Sequence, residues 1–361
     1  MTDIDWWPVA RLDELQAFIA ANWKRGHILG RDAELLRWQH GLPGDTERVS
    51  VLVAERPDAG IVGILGVIYN RATVLGREAS AAWLTTWLVL EEERRHQTAT
   101  KLLLEVLRGH DGFVGTLGGN EITLAVLGRL RFETVPALPR WVRPLDADAC
   151  ASLLTAAGAA APRTVPSLDP PAPDRGLEVR AYDPEQAPAW DRAWTERFAP
   201  RLIGTARDAA HLRWRYLEHP RFDYVISATW AGETPTGLLV YRVQRVRDRP
   251  ESVVRIVELL GDDDARGALL ADMVAQPAVR SAAFADYYGA SEAQRPPDAS
   301  GFAAEDPSAP PPALFAPLDA RRAGLTAAVR LFGPSAAPGS QVLSGASAYI
   351  TRSDCDQDRP N

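Results

Sequence analysis

The chain has 361 residues, 46% of them hydrophobic and 24% charged, which excludes a mostly disordered protein and allows two or three domains. Forty Lys and Arg stand against 47 Asp and Glu, a formal net charge of −7, which argues against non-specific binding to nucleic acid or an anionic membrane. Two isolated cysteines, Cys150 and Cys355, make neither a disulfide framework nor a zinc site, so no metal is expected.

No apolar run reaches the ~18–20 residues that span a bilayer. The longest, 60–69 and 79–90, stop at Asn70 and Glu91 and read as buried strands. The start MTDIDWWPVA is acidic and lacks a basic leader region, so the expected location is the cytoplasm.

In chain order, the first half reads as a helix over 12–23 and a second over 32–39 with Asp32 as N-cap. Strands follow at 49–54, 60–70 and 81–90. The polar stretch 91–97 leads into a helix over 98–108, with Leu102, Leu103, Val106 and Leu107 on one face. A strand at 112–116, a helix from Asn120 through Leu130 and a strand over 132–144 complete this half. Pro162, Pro166, Pro170, Pro171 and Pro173 mark an extended linker.

The second half reads as helices over 184–198 and 208–217, then strands at 224–230, 237–244 and 252–260. A helix over 264–274, a strand over 281–287, a proline-rich loop over 291–317, a helix over 318–331 and a strand near 346–351 follow. The pattern predicts a mixed α/β fold with units at 1–150 and 177–361 and a linker at 151–176. RDAELLRWQ at 31–39 returns as RDAAHLRWR at 207–215, an offset of 176 that argues for a duplicated fold.

The strand ending TTWLVL runs into RRHQTATKLLL from Arg94 to Leu104. This resembles the Q/R-x-x-G-x-G/A loop and following helix of the GNAT superfamily of acyl-CoA-dependent N-acyltransferases. Arg94 takes the first position and Ala99 the last, while Gln97 replaces the first glycine. Asn120, Leu130 and Phe132 match a second GNAT stretch, with Arg131 in place of its glycine and Leu127 where many members carry a tyrosine acid. WKRGHILGRDAELLRWQH, RDAAHLRWRYLEHPRFDY and SDCDQDRPN together resemble tandem GNAT proteins of sugar-nucleotide and surface-polysaccharide pathways. The resemblance implies two tandem GNAT-like domains, each a mostly antiparallel sheet flanked by helices.

It also implies an acyl-CoA co-substrate, acetyl or another short acyl. Its contacts would be Trp87, Leu88, Val89 and Leu90 on a splayed strand edge, then Arg94, Arg95, His96, Gln97, Thr98, Ala99, Thr100 and Asn120. Asn120 also stands among the implied catalytic residues. The chemistry fits: a helix start near Thr98 offers N–H donors and a favourable dipole to a diphosphate, and Arg94, Arg95 and Lys101 add charge. A strand N–H could stabilise the oxyanion of acyl transfer.

The attacking amine needs a base. His27 is the first candidate among six histidines, and Asp286 is the carboxylate alternative, since 81–90 contains no Asp or Glu. The acceptor is expected between the halves, against Trp38, Gln39, His40, Trp214, Arg215, Tyr216, His219 and Tyr287. The second half lacks a phosphate loop, because Asp262, Asp263 and Asp264 repel phosphates, so one coenzyme site is expected. Asp354, Asp356 and Asp358 read as a solvated tail. Neither cysteine sits in a nucleophile's loop, so attack by the amine would be direct. The leading expectation is an N-acyltransferase acting on a nucleotide-linked amino sugar. The alternatives are transfer to another amine (aminoglycoside, peptide or amino acid) and a non-catalytic protein that binds CoA or a sugar nucleotide.

Overall fold

The computed structural model describes residues 2–23, 26–158, 177–291, 294–306, 311–316, 318–319, 324–333, 342–343 and 345–358, with the side chain of Arg94 left aside. Most of the proline-rich linker, 159–176, lies outside these.

In the first half, β1 (Asp3–Pro8), α1 (Leu12–Asn22), α2 (Ala33–Gln39), β2 (Gly41–Leu42), β3 (Asp45–Arg56), β4 (Gly60–Val74) and β5 (Arg77–Val89) follow in order. Then come α3 (Thr98–Leu107), β6 (Gly112–Leu117), α4 (Glu121–Arg129), β7 (Glu133–Val135), β8 (Arg140–Pro144) and α5 (Ala147–Ala156). The helix α5 takes the first residues of the expected linker.

The second half holds β9 (Glu178–Ala181), α6 (Ala187–Ala193), β10 (Ile203–Thr205) and α7 (Ala209–Leu212), the last extended by a π turn over Arg213–Leu217. It continues with β11 (Val225–Ala231), β12 (Thr234–Arg245), β13 (Ser252–Gly261), α8 (Asp263–Ala275), α9 (Pro277–Arg280) and β14 (Phe284–Tyr288). Short strands β15 (Ala303–Ala304), β16 (Leu314–Phe315) and β17 (Leu318–Asp319) precede β18 (Ala327–Phe332).

Two sheets of the same pattern result. The first has the order β1-β3-β4-β5-β6-β18-β7, the second β9-β11-β12-β13-β14-β8-β15. Each is antiparallel except for one parallel pair, β5 with β6 and β13 with β14. The halves exchange a strand: β18 from the second half pairs with β6, and β8 from the first pairs with β14. Pro136 and Pro139 explain the second crossing. Proline cannot donate to a ladder, so the expected single strand over 132–144 breaks into β7 and β8 in different sheets.

The described residues of 318–331 form strands, not the expected helix, and 320–323 lie outside the described residues. Ala327, Ala328 and Val329 are fully buried between β6 and β7, and two ladders override helical spacing. Residues near 346–351 form isolated bridges rather than a strand.

Helix α3 buries Leu102, Leu103 and Val106 on one face of the first sheet, while α1 and α2 cover the other with Leu15, Ile19, Leu35 and Leu36. Trp83 of β5 is fully buried, and its Nε1–H donates to Thr205 Oγ1 of β10 at 2.9 Å. Burying such a ring stabilises by about 2–3 kcal/mol, and here it fastens one half to the other.

Candidate active site

The parallel strands β5 and β6 pair from Ser80 with Gly112 to Leu84 with Thr116, and then part. A bulge causes this. Between the pairs Thr85–Gly66 and Leu88–Ile64, β5 carries one residue more than β4, and Thr86 sits at φ +30°. On the other side, Gly118 at φ +73° turns β6 away toward α4. The fork encloses a cavity of about 430 Å³, lined by Thr85, Thr86, Trp87, Gly118, Gly119 and Asn120, with His27, Asp356 and Gln357.

The walls carry unspent polarity. Thr85 Oγ1, Thr86 Oγ1 and Trp87 Nε1 are buried without a hydrogen-bond partner among the described residues. Each such atom costs about 1–3 kcal/mol, which a polar ligand could recover. Leu90 N–H is bonded to Val62 O of β4 at 3.0 Å, so by strand alternation the polar groups of Val89 turn toward the fork's side. Leu88 pairs with Ile64 of β4.

Past β5, a 3-10 turn over Glu91–His96 reaches Gln97, which stands at φ +56° before α3 and gives no side-chain cap. The replaced glycine is thus a position that needs the left-handed backbone, and Gln97 adopts it. The first N–H groups of α3, from Thr98 through Thr100, therefore begin without a side-chain acceptor at the N-cap. Around them Arg95 and His96 are exposed and bonded to each other at 3.3 Å, Ala99 is half-buried, and Glu93 is turned inward onto Arg56 at 2.6 Å.

The end of the chain is not the expected solvated tail. Arg207 holds Glu258 at 2.7 Å and Asp354 at 2.9 Å, all fully buried. Glu258 also accepts from Tyr216, Tyr349 and Ser353 at 2.5, 2.8 and 2.7 Å. Arg242 and Tyr224 donate to Asp358, each at 2.7 Å, and Arg215 donates to the carbonyls of Ser353 and Cys355. So clamped, the segment reaches the apex of the fork. Cys355 Sγ donates to Leu84 O, and Gln357 Nε2 to Leu117 O at 3.2 Å. Asp356 lies between them, 4% exposed, on the cavity wall.

The expected residues divide accordingly. His27 lines the fork, and its Nδ1 accepts from Leu29 N–H at 3.3 Å. A neutral ring with that acceptor carries its proton on Nε2, a tautomer that donates rather than acts as a base. Asn120 is there too, as N-cap of α4, accepting from Thr123 N–H at 2.9 Å. Asp286 is not. It is fully buried in β14 against Arg140, Arg255 and Arg352, and despite its burial they hold it down at about 2, so it is their counterion and no base for an amine.

Of the acceptor residues, Trp38, Gln39 and Trp214 line a different cavity of about 270 Å³ between the halves. The two tryptophans, 176 positions apart, stack at 5.2 Å, and each indole N–H donates to the other's carbonyl. His40 is buried, with Nδ1–H on Val67 O and Nε2 accepting from Gln39, each at 3.0 Å. His219 packs on Trp38, Arg215 and Tyr216 clamp the tail, and Tyr287 is fully buried with its hydroxyl accepting from Gln294. Sequence reasoning missed Thr85, Thr86, Asp356 and Gln357. The alternating carboxylates of SDCDQD were the one available signal for Asp356.

No family model matches the sequence, and no curated protein matches it. Solved structures do match in fold. A GCN5-related N-acetyltransferase from Anabaena variabilis is 12% identical, with a TM-score of 0.55 over 92% of this chain and 73% of its own. A probable N-acyltransferase from Enterococcus faecalis is 9% identical, with a TM-score of 0.56 over 92% and 72%. An N-myristoyltransferase from Saccharomyces cerevisiae, with myristoyl-CoA bound, is 11% identical, with a TM-score of 0.52 over 91% and 82%. The chain therefore has the mixed α/β fold of the GCN5-related N-acetyltransferases in a two-domain arrangement.

Proposed function

We propose that the protein is an acyl-CoA-dependent N-acyltransferase working at the fork between β5 and β6. The observation that carries this reading is the parting of those two parallel strands around a 430 Å³ cavity walled by unpartnered polar groups. The edge N–H and C=O groups of Val89, on the fork's side of β5, suit an amide-rich pantetheine arm, as in strand augmentation. The start of α3 suits the diphosphate, with Arg95 and Lys101 adding charge. When bound, the thioester supplies an activated acyl group.

The chain's own groups then have definite tasks. The bulged strand offers N–H donors where negative charge develops on the thioester oxygen, and His27 lines the same cavity. The Asp356 carboxylate, held by Gln357 Nε2 at 2.8 Å, accepts the proton of the attacking amine. The first half carries the coenzyme, and the second delivers the tail with that carboxylate. The acceptor in this reading is the amine of a nucleotide-linked sugar and the acyl group a short one.

Calorimetric titration with acetyl-CoA, paired with a thiol-release assay over amino sugars, their nucleotide-linked forms, aminoglycosides and amino acids, tests this. Coenzyme binding with thiol release on a sugar nucleotide is expected. Absence of coenzyme binding would overturn the reading, and binding without release on any amine would leave a binding protein.

A further inference from the structure

We infer that the acceptor carries an oxyanion, and that a second cavity beside the fork, walled by Arg255 and Arg352, receives it. This inference rests on the acyl-transfer reading of the fork. The second cavity measures about 230 Å³ and shares Gly118, Gly119, Asn120, Leu314 and Gln357 with the first, so one bent cleft joins them. An amine at Asp356 and an anion at the arginines would then belong to one molecule.

The local charge count motivates the anion. Arg140, Arg242, Arg255 and Arg352 are all buried, and their carboxylate partners are Asp286, Glu305 and Asp358. The close pairs are already taken: Arg140 holds Asp286 at 2.8 Å and Glu305 at 2.7 Å, and Arg242 holds Asp358 at 2.7 Å. Arg255 and Arg352 are left with Asp286 at 3.6 and 3.4 Å. The other donors of Arg255 reach only neutral oxygens, Gln244 Oε1 at 3.3 Å and Ala313 O at 3.1 Å.

Among the described residues, the Nε–H groups of Arg255 and Arg352 are buried without a hydrogen-bond acceptor, that of Arg255 standing 3.6 Å from Asp286. Burial, and then Arg352 beside it, pushes Arg255 down to about 9, the response of a guanidinium short of negative charge. Uncompensated buried charge is costly, and two guanidinium groups on one wall suit an oxyanion such as a carboxylate or phosphate.

The test uses the full chain. Inorganic pyrophosphate and malonate are titrated calorimetrically, with and without saturating coenzyme A, into the wild type, Arg255→Gln and Arg352→Lys. One or both probes should bind the wild type in the presence of coenzyme. Binding should weaken about tenfold or more in Arg255→Gln and less in Arg352→Lys, which keeps the charge and loses the fork. Thermal melting reports folding, and if Arg255→Gln fails to fold, Arg352→Lys decides. Tighter pyrophosphate points to a phosphate-bearing acceptor, and tighter malonate to an amino-acid-like one. No probe binding in the wild type, or equal binding in the folded variants, overturns the inference. Coenzyme binding without probe binding sinks this inference alone, whereas probe binding without coenzyme binding sinks the acyl-transfer reading.

Discussion

Both sheets contain a fork, and only one of them is open. In the second sheet, β13 and β14 pair in parallel from Val254 to Ile256 and then separate, again after a register shift against the neighbouring strand. There the gap is filled. Glu258 enters it to meet Arg207, and the Tyr349 hydroxyl accepts from the N–H of Leu259 on the parted edge. In the first sheet, Thr85, Thr86 and Trp87 face a cavity instead. One segment explains both states. Its Tyr349–Ser353 part closes the second fork, and its Cys355–Gln357 part wedges the apex of the first while leaving the rest hollow. The same backbone geometry thus leaves a cavity in one half and an anchor in the other.

The largest effect is expected from breaking the closed fork. Glu258→Ala removes an acceptor shared by Arg207, Tyr216, Tyr349 and Ser353 and leaves the buried Arg207 with Asp354 as its one carboxylate among the described residues. A loss of about 3–5 kcal/mol in unfolding free energy is expected by urea denaturation. A loss under about 1 kcal/mol would mean that the buried network does not hold the segment.

Next comes the open fork. Asp356→Asn keeps the shape and the Gln357 contact and removes the proton acceptor. Thiol release should fall about 10²-fold or more, while acetyl-CoA affinity and thermal stability stay near wild type. An unchanged rate would move the base elsewhere in the cavity.

How far these forks were legible in the sequence varied with the range of the interactions. The strand at 81–90 and the helix at 98–107 could be read because their signals are local: an apolar run and a one-faced leucine pattern. The turn into that helix was legible because its left-handed residue, Gln97, is fixed within a few residues. The 318–331 region was misread because its alanines and leucines fit helical spacing, while its strand partners lie in the other half. The tail was misread for the same reason, since Asp358 meets Arg242 across 116 positions and nothing local marks it as buried. Asp286 looked like a base at a strand end, and only folding brings three arginines to it.

A smaller effect should come from the seam between the forks. His219 packs edge-on against Trp38 at 4.3 Å, and its Nδ1 accepts from the N–H groups of Arg221 and Phe222. Burial, and then Arg215, pushes it down to about 3. The unfolded chain takes up this proton near pH 6.5, and the folded chain does not until about pH 3. The stability His219 contributes is therefore whole above pH 6.5 and lost as pH falls toward 3. About 1 kcal/mol of the drop in unfolding free energy between pH 7.5 and pH 5 should belong to it, allowing for its partial solvation. His219→Asn, which keeps an acceptor but does not titrate, should flatten the profile by that amount. An unchanged slope would remove His219 from the seam's account.

The finest contrast lies at the helix starts that follow the two forks. Helix α8 is closed to anions: Asp262 caps it by accepting from Ala265 N–H at 3.0 Å, and Asp263 and Asp264 occupy its first turn. Helix α3 has no side-chain cap and begins after a left-handed Gln97. In Gln97→Gly, relief of about 1 kcal/mol of left-handed strain is offset by the greater freedom of the unfolded glycine chain, so stability should stay within about 0.5 kcal/mol. Removing the Cβ lets a phosphate approach the N–H groups more closely, so acetyl-CoA should bind about two- to fivefold more tightly. Gln97→Asp places a carboxylate at the same spot, copying the acidic start of α8, and should weaken binding about tenfold. Equal affinity in all three proteins would mean that coenzyme binding does not depend on the start of α3, and that the contrast between the two helix starts carries no functional difference.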